Sequence, residues 1–166
     1  MNIAIYGFMG VGKTTIGKLL ADMLGYDFVD MDEEIEKREG IPISDIFRVK
    51  GESRFRELES RLVKELSQND GLIIACGGGA IADIKNAEIL LKSSRMVYLT
   101  ASIEEIIERT YNDNSRPLLK VNNPEKVASE IFEQRKPVYT KYAEITVDTT
   151  GMTPMEVVKM VLEALK

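Results

Sequence analysis

The amino-acid sequence predicts an α/β fold in three layers, α/β/α, with a five-stranded parallel sheet between two layers of helices. Short apolar runs rich in β-branched residues recur along the chain, and stretches with helical spacing follow most of them. These runs are continuously apolar rather than alternating, as expected for strands that are buried on both faces. The five candidate strands are Ile3–Tyr6, Phe28–Val29, Leu72–Cys76, Met96–Leu99 and Ile145–Val147.

Two helices follow from the spacing of apolar residues. The first is expected to begin at a glycine-rich turn after the first strand and to run to about Leu24. Its apolar face is expected to carry Ile16, Leu19, Leu20 and Met23. A second helix is expected from Gly51 to Ser67, with charged residues on its other faces. Its apolar residues are Phe55, Leu58, Leu62 and Leu66.

The last helix is predicted from its first residues, "TPME". Thr153 suits the N-cap, Pro154 the first helical position, and Glu156 the third position of a capping box.

A different kind of segment, residues 112–124, is rich in Asn, Asp, Ser and Pro and too polar to pack. We expect it to form a mobile loop.

Composition excludes several classes of protein. The chain has 166 residues, 44% of them hydrophobic, which fits a single domain over residues 1–166. Its net charge of −5 argues against binding to nucleic acid. It has no histidine, and its single cysteine, Cys76, excludes an intramolecular disulfide and a cysteine-cluster metal site. No apolar run is long enough to span a membrane and the N-terminal sequence does not resemble a signal peptide, so we expect a cytoplasmic protein.

The glycine-rich turn "GFMGVGKT" matches the phosphate-binding pattern of Gly, four residues, Gly, Lys and Ser or Thr. Glycines let consecutive backbone N–H groups surround a phosphate, and the helix N-terminus adds partial positive charge. Lys13 is expected to reach the β and γ oxygens of a nucleoside triphosphate, and Thr14 to offer its hydroxyl to Mg²⁺. The alternative is a tight strand-to-helix turn with a surface lysine. The expected nucleotide-binding residues of the turn are Gly10, Val11, Gly12, Lys13, Thr14 and Thr15.

The rest of the chain does not fit a switch GTPase or a motor ATPase. The Asn-Lys-x-Asp segment that reads guanine is missing, and "DTTG" at 148–151 follows the last strand, so it is interpreted as a turn. The central strand 72–76 ends in cysteine and glycines rather than in a magnesium-binding Asp. The available carboxylates are Asp30 and Asp32 in "FVDMDEEIE", where one is placed to approach Mg²⁺ and the other an acceptor hydroxyl.

Five segments follow one another in the order and spacing of shikimate kinases, and the chain resembles that family from end to end. They are GFMGVGKTTIGKLLADMLGYDFVDMDEEIEKREGIPISDIF, GESRFRELE, GGGAI, RPLL and QRKPVYTKYA. The resemblance implies a P-loop kinase fold like that of nucleoside monophosphate kinases. It also implies transfer of the γ-phosphoryl group of ATP, with Mg²⁺, to the 3-hydroxyl of shikimate, a step of chorismate and aromatic amino acid biosynthesis. A monomer with these small-molecule substrates is expected.

The resemblance assigns the acceptor site. Asp32 would contact the ring hydroxyls, Arg56 and Arg135 would bind the carboxylate, and Gly77, Gly78 and Gly79 would lie against the ring. A carboxylate suits the first role, since it accepts a hydrogen bond from the attacking hydroxyl and can act as a base or only position it. A guanidinium suits the second role because it pairs bidentately with a carboxylate. The acceptor-binding region would span about residues 31–61.

Other interpretations of these residues remain open when they are taken alone. An acid such as Asp32 can complement a helix dipole, and Arg56 with Glu52 four residues earlier can form an ordinary surface pair. The three glycines can be only a flexible turn. Tyr139 and Tyr142, which follow Arg135, are assigned to packing or to solvent.

On the nucleotide side, the resemblance places Asp30 near Mg²⁺ and Arg109 with Pro154 at the adenine. It also implies that the loop at 112–124 is a lid, whose Arg116 reaches the ATP phosphates when the lid closes. Pro154 also has its role at the start of the last helix. Two other functions stay possible from the sequence: a related kinase acting on gluconate or a nucleoside monophosphate, and a nucleotide-binding module that has lost catalysis. The acidic pair and the lid arginine argue against the second.

Overall fold

A computed structural model describes residues 1–110 and 123–166 of the chain. All strands of the sheet are parallel, in the order β2-β3-β1-β4-β5. The strands are β1 (Asn2–Tyr6), β2 (Asp27–Asp30), β3 (Leu72–Ala75), β4 (Ser94–Thr100) and β5 (Ile145–Asp148). The predicted five-stranded parallel sheet is confirmed, and each predicted strand overlaps an observed one.

The helices occupy the connections between the strands and the C-terminus. They are α1 (Lys13–Leu24), α2 (Met31–Glu39), α3 (Ile43–Lys50), α4 (Glu52–Leu66), α5 (Ile84–Ser93), α6 (Ile103–Thr110), α7 (Pro124–Tyr142) and α8 (Pro154–Leu165). The predicted capping box of α8 is present: Glu156 N donates to Thr153 Oγ1 at 3.3 Å, and Thr153 N donates to the Glu156 carboxylate at 2.7 Å. Each side chain of the pair accepts a hydrogen bond from the other residue's backbone N–H, a group that has no partner within the helix at its start.

Two apolar cores lie on opposite faces of the sheet. Alternate residues of β1 point into them, with Ile3 and Ile5 in the first and Ala4 and Tyr6 in the second. Helices α1, α6 and α8 supply buried residues to the first core, and α2, α3, α4 and α5 supply them to the second. Helix α7 contributes to both cores. This is the three-layer α/β/α arrangement that the sequence predicts.

The prediction of the apolar face of α1 is wrong for one residue, Met23. Met23 is 53% exposed, whereas Ile16 and Leu20 are buried. The buried residues of α1 end at Ala21, so the last turn of the helix extends past the core and leaves Met23 in solvent.

The sheet register places the site. Asp30 of β2 and Ile5 of β1 both pair with Ala75 of β3, so these three strands end at the same edge. Each of these strands leads directly into a part of the site: β1 into the first glycine turn, β2 into the start of α2, and β3 into the second glycine turn. Ligands of parallel α/β sheets bind at this edge. Among the described residues, no helix is both long and apolar enough to cross a membrane.

Candidate active site

A cleft of about 560 Å³ lies beyond the C-terminal ends of β1, β2 and β3. Both glycine turns line it, together with the starts of α1 and α2 and with side chains from α4, α6 and α7. The predicted site residues that line the cleft are Gly10, Gly12, Lys13, Thr14, Thr15, Asp30, Asp32, Arg56, Gly77, Gly78, Gly79, Arg109 and Arg135.

Three predicted residues are not among those lining the cleft. The side chain of Val11 is fully buried in the first core, so only its backbone is available to a ligand. Pro154 is the exposed first residue of α8. Arg116 and most of the predicted lid at 112–124 lie outside the described residues.

The first glycine turn is shaped for close backbone approach to an anion. Gly12 caps α1 with a left-handed backbone, φ 91°, which an L side chain rarely adopts. The Lys13 ammonium lies over the turn and donates hydrogen bonds to the carbonyl oxygens of Gly7 and Phe8, at 3.0 and 3.2 Å. The lysine is therefore held above the positive end of α1, where phosphate oxygens are favoured.

Thr14 and Asp30 form an oxygen pair beside this turn. The Thr14 hydroxyl donates to Asp30 Oδ2 at 2.6 Å. The other carboxylate oxygen, Oδ1, accepts hydrogen bonds from the backbone N–H groups of Asp32 and Glu33 and so caps α2. Asp30 is thus fixed with one oxygen facing the P-loop hydroxyl.

These oxygens fit Mg²⁺ bound together with phosphates. Hydroxyl and carboxylate oxygens are the hard ligands that Mg²⁺ prefers, and it usually takes only one or two from a protein. Within residues 1–110 and 123–166, no group of three or more His, Cys, Asp or Glu could hold a metal. The pair therefore suits an ion whose remaining ligands are phosphates and water.

The second glycine turn is closely surrounded by side chains. A Cβ atom on Gly77 would lie 2.7 Å from Asp32 Oδ1, one on Gly78 would lie 3.0 Å from Arg135 Nη1, and one on Gly79 would lie 2.2 Å from Arg56 Nη1. Each glycine thus borders a different predicted acceptor-binding side chain. A Cβ atom on Gly78 would also lie 3.9 Å from the carbonyl oxygen of Gly7, so the two glycine turns are neighbours.

Comparison with known proteins identifies the family. A protein-family model described as "Shikimate kinase" matches residues 9–166. The chain belongs to the shikimate kinase family. Its activity is that of an ATP-dependent small-molecule kinase, a shikimate kinase. The family, fold and function predicted from the sequence are therefore confirmed.

Relatives of this shikimate kinase family member match it over nearly its whole length. The shikimate kinase of Persephonella marina is 44% identical over 165 residues, which cover 99% of each chain. The solved structure of the Acinetobacter baumannii shikimate kinase in complex with shikimate superposes with a TM-score of 0.96 and 39% identity, covering 99% of this chain and 92% of that one. A gluconokinase from Sinorhizobium meliloti has a TM-score of 0.60 and 20% identity, covering 99% and 90% of the two chains, which shows a shared fold alone.

Within the shikimate kinase cleft, sequence reasoning missed Glu59. Its side chain is only 1% exposed, and Oε1 accepts a hydrogen bond from Arg56 Nη1 at 3.0 Å. Arg56 also donates to Glu52 at 3.3 Å. Burial raises the pKa of Glu59 to about 7, although the Arg56 charge opposes this. The sequence contains a signal for the burial of Glu59, since its spacing places it on the apolar face of α4 between Phe55 and Leu62.

Arg109 joins the first glycine turn to the loop before α8. Its guanidinium donates to the Gly10 carbonyl at 3.2 Å and to the Thr149 hydroxyl at 3.3 Å. It also pairs with Glu105 at 2.6 Å, one helical turn earlier on α6. Arg109 is therefore oriented by three fixed groups at the end of the cleft that borders the P-loop.

Proposed function

We propose that this cleft binds MgATP at the first glycine turn and shikimate at the second, and transfers the γ-phosphoryl group to the 3-hydroxyl, giving shikimate 3-phosphate and ADP. One observation carries the proposal: Gly77, Gly78 and Gly79 each border a different side chain suited to a part of the acceptor. Asp32 suits a hydroxyl, whereas Arg56 and Arg135 suit a carboxylate. The donor and acceptor turns are also neighbours, as transfer between two bound substrates requires.

On the donor side, backbone N–H groups of residues 10–15 bind the phosphates. Lys13 exchanges its hydrogen bonds to Gly7 and Phe8 for the β and γ oxygens, where its charge stabilises the transferring group. Arg109 offers a cation face to the adenine, and Pro154 borders the same base. The support for Arg109 is its position between Gly10 and the loop that leads to α8.

Thr14 and Asp30 would hold Mg²⁺ through their oxygens, and the ion would supply positive charge that neutralises the β and γ phosphates. Asp30 also accepts two backbone hydrogen bonds from the start of α2, so the same carboxylate fixes the helix that carries Asp32.

On the acceptor side, Arg56 and Arg135 pair with the shikimate carboxylate and fix the ring over the glycines. Asp32 accepts a hydrogen bond from the 3-hydroxyl and aims its oxygen at the γ-phosphorus. The new oxygen–phosphorus bond forms as the bond to the β-phosphate oxygen breaks, and the hydroxyl proton passes to Asp32 late in the reaction. Glu59, hydrogen-bonded to Arg56, keeps that guanidinium oriented.

Several wider features belong to the same proposal. Residues 31–61 form the acceptor-binding region of a single domain, since they contribute Asp32 and Arg56. The role of Arg116 in a lid at 112–124 is supported by the family resemblance alone. The protein acts as a monomer, because one chain supplies all the cleft residues named above. It works in the cytoplasm, where ATP is available.

An ADP-release assay with a panel of acceptors tests the function. We expect MgATP turnover with shikimate and none above background with gluconate or a nucleoside monophosphate. Asp32→Asn, which keeps the shape but removes the charge, is expected to lower kcat strongly. Glu34→Gln, two residues further along the same helix and not among the residues that line the cleft, serves as the matched control. ATP binding without shikimate-dependent turnover would refute the proposal.

A further inference from the structure

Tyr139 of α7 lies behind the second glycine turn and contacts it directly. Its side chain is 1% exposed, and its hydroxyl donates a hydrogen bond to the carbonyl oxygen of Gly78. It is not among the residues that line the cleft. Tyr139 therefore acts on the turn from the core and not on a ligand.

Tyr139 is held in place by three contacts, one to its backbone and two to its ring. The Tyr6 hydroxyl donates to the Tyr139 carbonyl oxygen at 2.7 Å, which ties α7 to the end of β1. The Tyr139 ring packs edge-on against Tyr6 and tilted against Tyr98, with ring centroids 5.5 Å apart in each case. Burial also raises the pKa of Tyr139 to about 12, so the phenol keeps its proton at neutral pH and can donate.

The Gly78 carbonyl belongs to the one peptide of the turn that can flip. The N–H of Ala80 donates to the Gly77 carbonyl at 3.1 Å, so residues 77–80 form a β-turn whose central peptide joins Gly78 to Gly79. Type I and type II turns differ chiefly by rotation of that peptide, and type II needs a positive φ at the third residue. Gly79 does not have a positive φ, so the turn is not of type II.

Because residue 79 is glycine, the turn itself has little energetic preference between type I and type II. A non-glycine residue at the third position would resist the positive φ of a type II turn, whereas glycine accepts it at little cost. The side chain that would otherwise enforce the observed orientation is absent because Arg56 occupies the space where a Gly79 Cβ would lie. The hydrogen bond from the Tyr139 hydroxyl favours the observed orientation of the Gly78–Gly79 peptide.

The orientation of the Gly78–Gly79 peptide decides which of its two polar groups faces Tyr139 and which faces away. In a planar trans peptide the carbonyl and the next N–H point in opposite directions. With the Gly78 carbonyl directed at Tyr139, which does not line the cleft, the Gly79 N–H points away from Tyr139. A flip would turn the Gly79 N–H toward Tyr139 and would remove the Gly78 carbonyl as the acceptor of the Tyr139 hydroxyl.

We propose that Tyr139 is a positioning residue of the acceptor site, whose hydroxyl holds the Gly78–Gly79 peptide in the orientation that shikimate binding needs. It shares one face of α7 with Arg135, four residues earlier, so a single helix holds the turn from behind and supplies a guanidinium in front. The inference rests on the proposed role of the second glycine turn in shikimate binding.

The Tyr139→Phe variant tests this, because it keeps the ring contacts and removes only the hydroxyl. We expect KM for shikimate to rise about three- to tenfold, the range for loss of one hydrogen bond, with kcat and KM for ATP within about twofold of the wild type. Tyr142→Phe, a buried tyrosine in the last turn of the same helix, is the matched control and is expected to change none of these. An unchanged shikimate KM, or an equal loss in all three parameters, would overturn the proposal.

A second measurement does not depend on catalysis. In ¹H–¹⁵N spectra of the ligand-free protein, the Gly79 amide of the wild type is expected to give one sharp resonance, and that of Tyr139→Phe a broadened or doubled one. A sharp, unshifted Gly79 resonance in the variant would overturn the proposal. Absence of shikimate turnover in the wild type would instead contradict the proposed function and leave this spectral test intact.

Discussion

Replacing Gly79 with alanine would place a methyl group against the guanidinium of Arg56. The added Cβ would lie 2.2 Å from Nη1, 2.6 Å from Cζ and 2.7 Å from Nη2 of that side chain. Ordinary van der Waals contact begins at 3.4 Å, so the guanidinium must retreat by about 1.2 Å from its present position. That displacement is expected to disturb its 3.0 Å hydrogen bond to Glu59 and its pairing with the proposed shikimate carboxylate.

The size of the effect follows from the loss of a charged hydrogen bond. Such bonds contribute about 1.5–3 kcal/mol, and each 1.4 kcal/mol is a factor of ten, so KM for shikimate should rise about 10- to 100-fold. ATP binding should be nearly unchanged because Arg56 belongs to the proposed acceptor side of the cleft. The assay is steady-state ADP release with shikimate varied at saturating MgATP.

Two other glycines provide graded controls. An alanine at 78 would lie 3.0 Å from Arg135 Nη1, a clash relieved by a few tenths of an ångström, so we expect a smaller rise in shikimate KM. An alanine at 71 has open space but a φ of 73°, which costs about 1–2 kcal/mol of stability far from the site. Its shikimate KM should equal that of the wild type. A Gly79→Ala enzyme with normal shikimate KM would refute the reasoning.

Three further predictions concern charged side chains of the cleft. Lys13→Ala should lower kcat by at least about 100-fold, since a positioned charge on the transferring group contributes about 3 kcal/mol; near-normal turnover in the same assay would remove its catalytic role. Arg135→Lys should chiefly raise KM for shikimate by losing the bidentate fork, and an unchanged KM would assign Arg135 to the surface. Glu59→Gln should remove a pH-dependent loss of stability between about pH 4.5 and 7, measured by urea unfolding across that range.

The sign of the Glu59 effect comes from its raised pKa. Burial moves the folded-state pKa from the ordinary 4.5 to about 7, so between these values the folded protein binds more protons than the unfolded one. Stability from this group is therefore present below pH 4.5 and falls as pH rises to 7. Glutamine does not titrate, so Glu59→Gln should gain up to about 3 kcal/mol on the wild type over this range. A constant difference with pH would show that Glu59 does not titrate there.

Features carried by local sequence were predictable. The strand, glycine turn and helix from β1 to α1 follow from residues within one short segment, and the capping box of α8 from the four residues that form it. Asp32, Arg56 and Arg135 were assigned through family resemblance, because each alone has an ordinary interpretation on a helix surface. Their convergence on the three glycines depends on the order of the strands, which no local pattern encodes.

Long-range contacts explain what the sequence did not predict. Tyr139 meets Gly78 across 61 positions of the chain, and its spacing on α7 indicates only a buried or partly buried residue. Glu59 was hidden among the charged residues of α4, although its place on the apolar face distinguishes it from them. In both cases a polar group in the core supports a residue of the cleft, and periodicity alone treats such groups as packing or solvent-facing.

A crystal structure of this protein with shikimate tests most directly the claim that the second glycine turn is the acceptor site. We expect the shikimate carboxylate between the guanidinium groups of Arg56 and Arg135, a ring hydroxyl within hydrogen-bond distance of Asp32, and the ring against Gly78. Shikimate bound elsewhere, or with its carboxylate away from both arginines, would contradict the account.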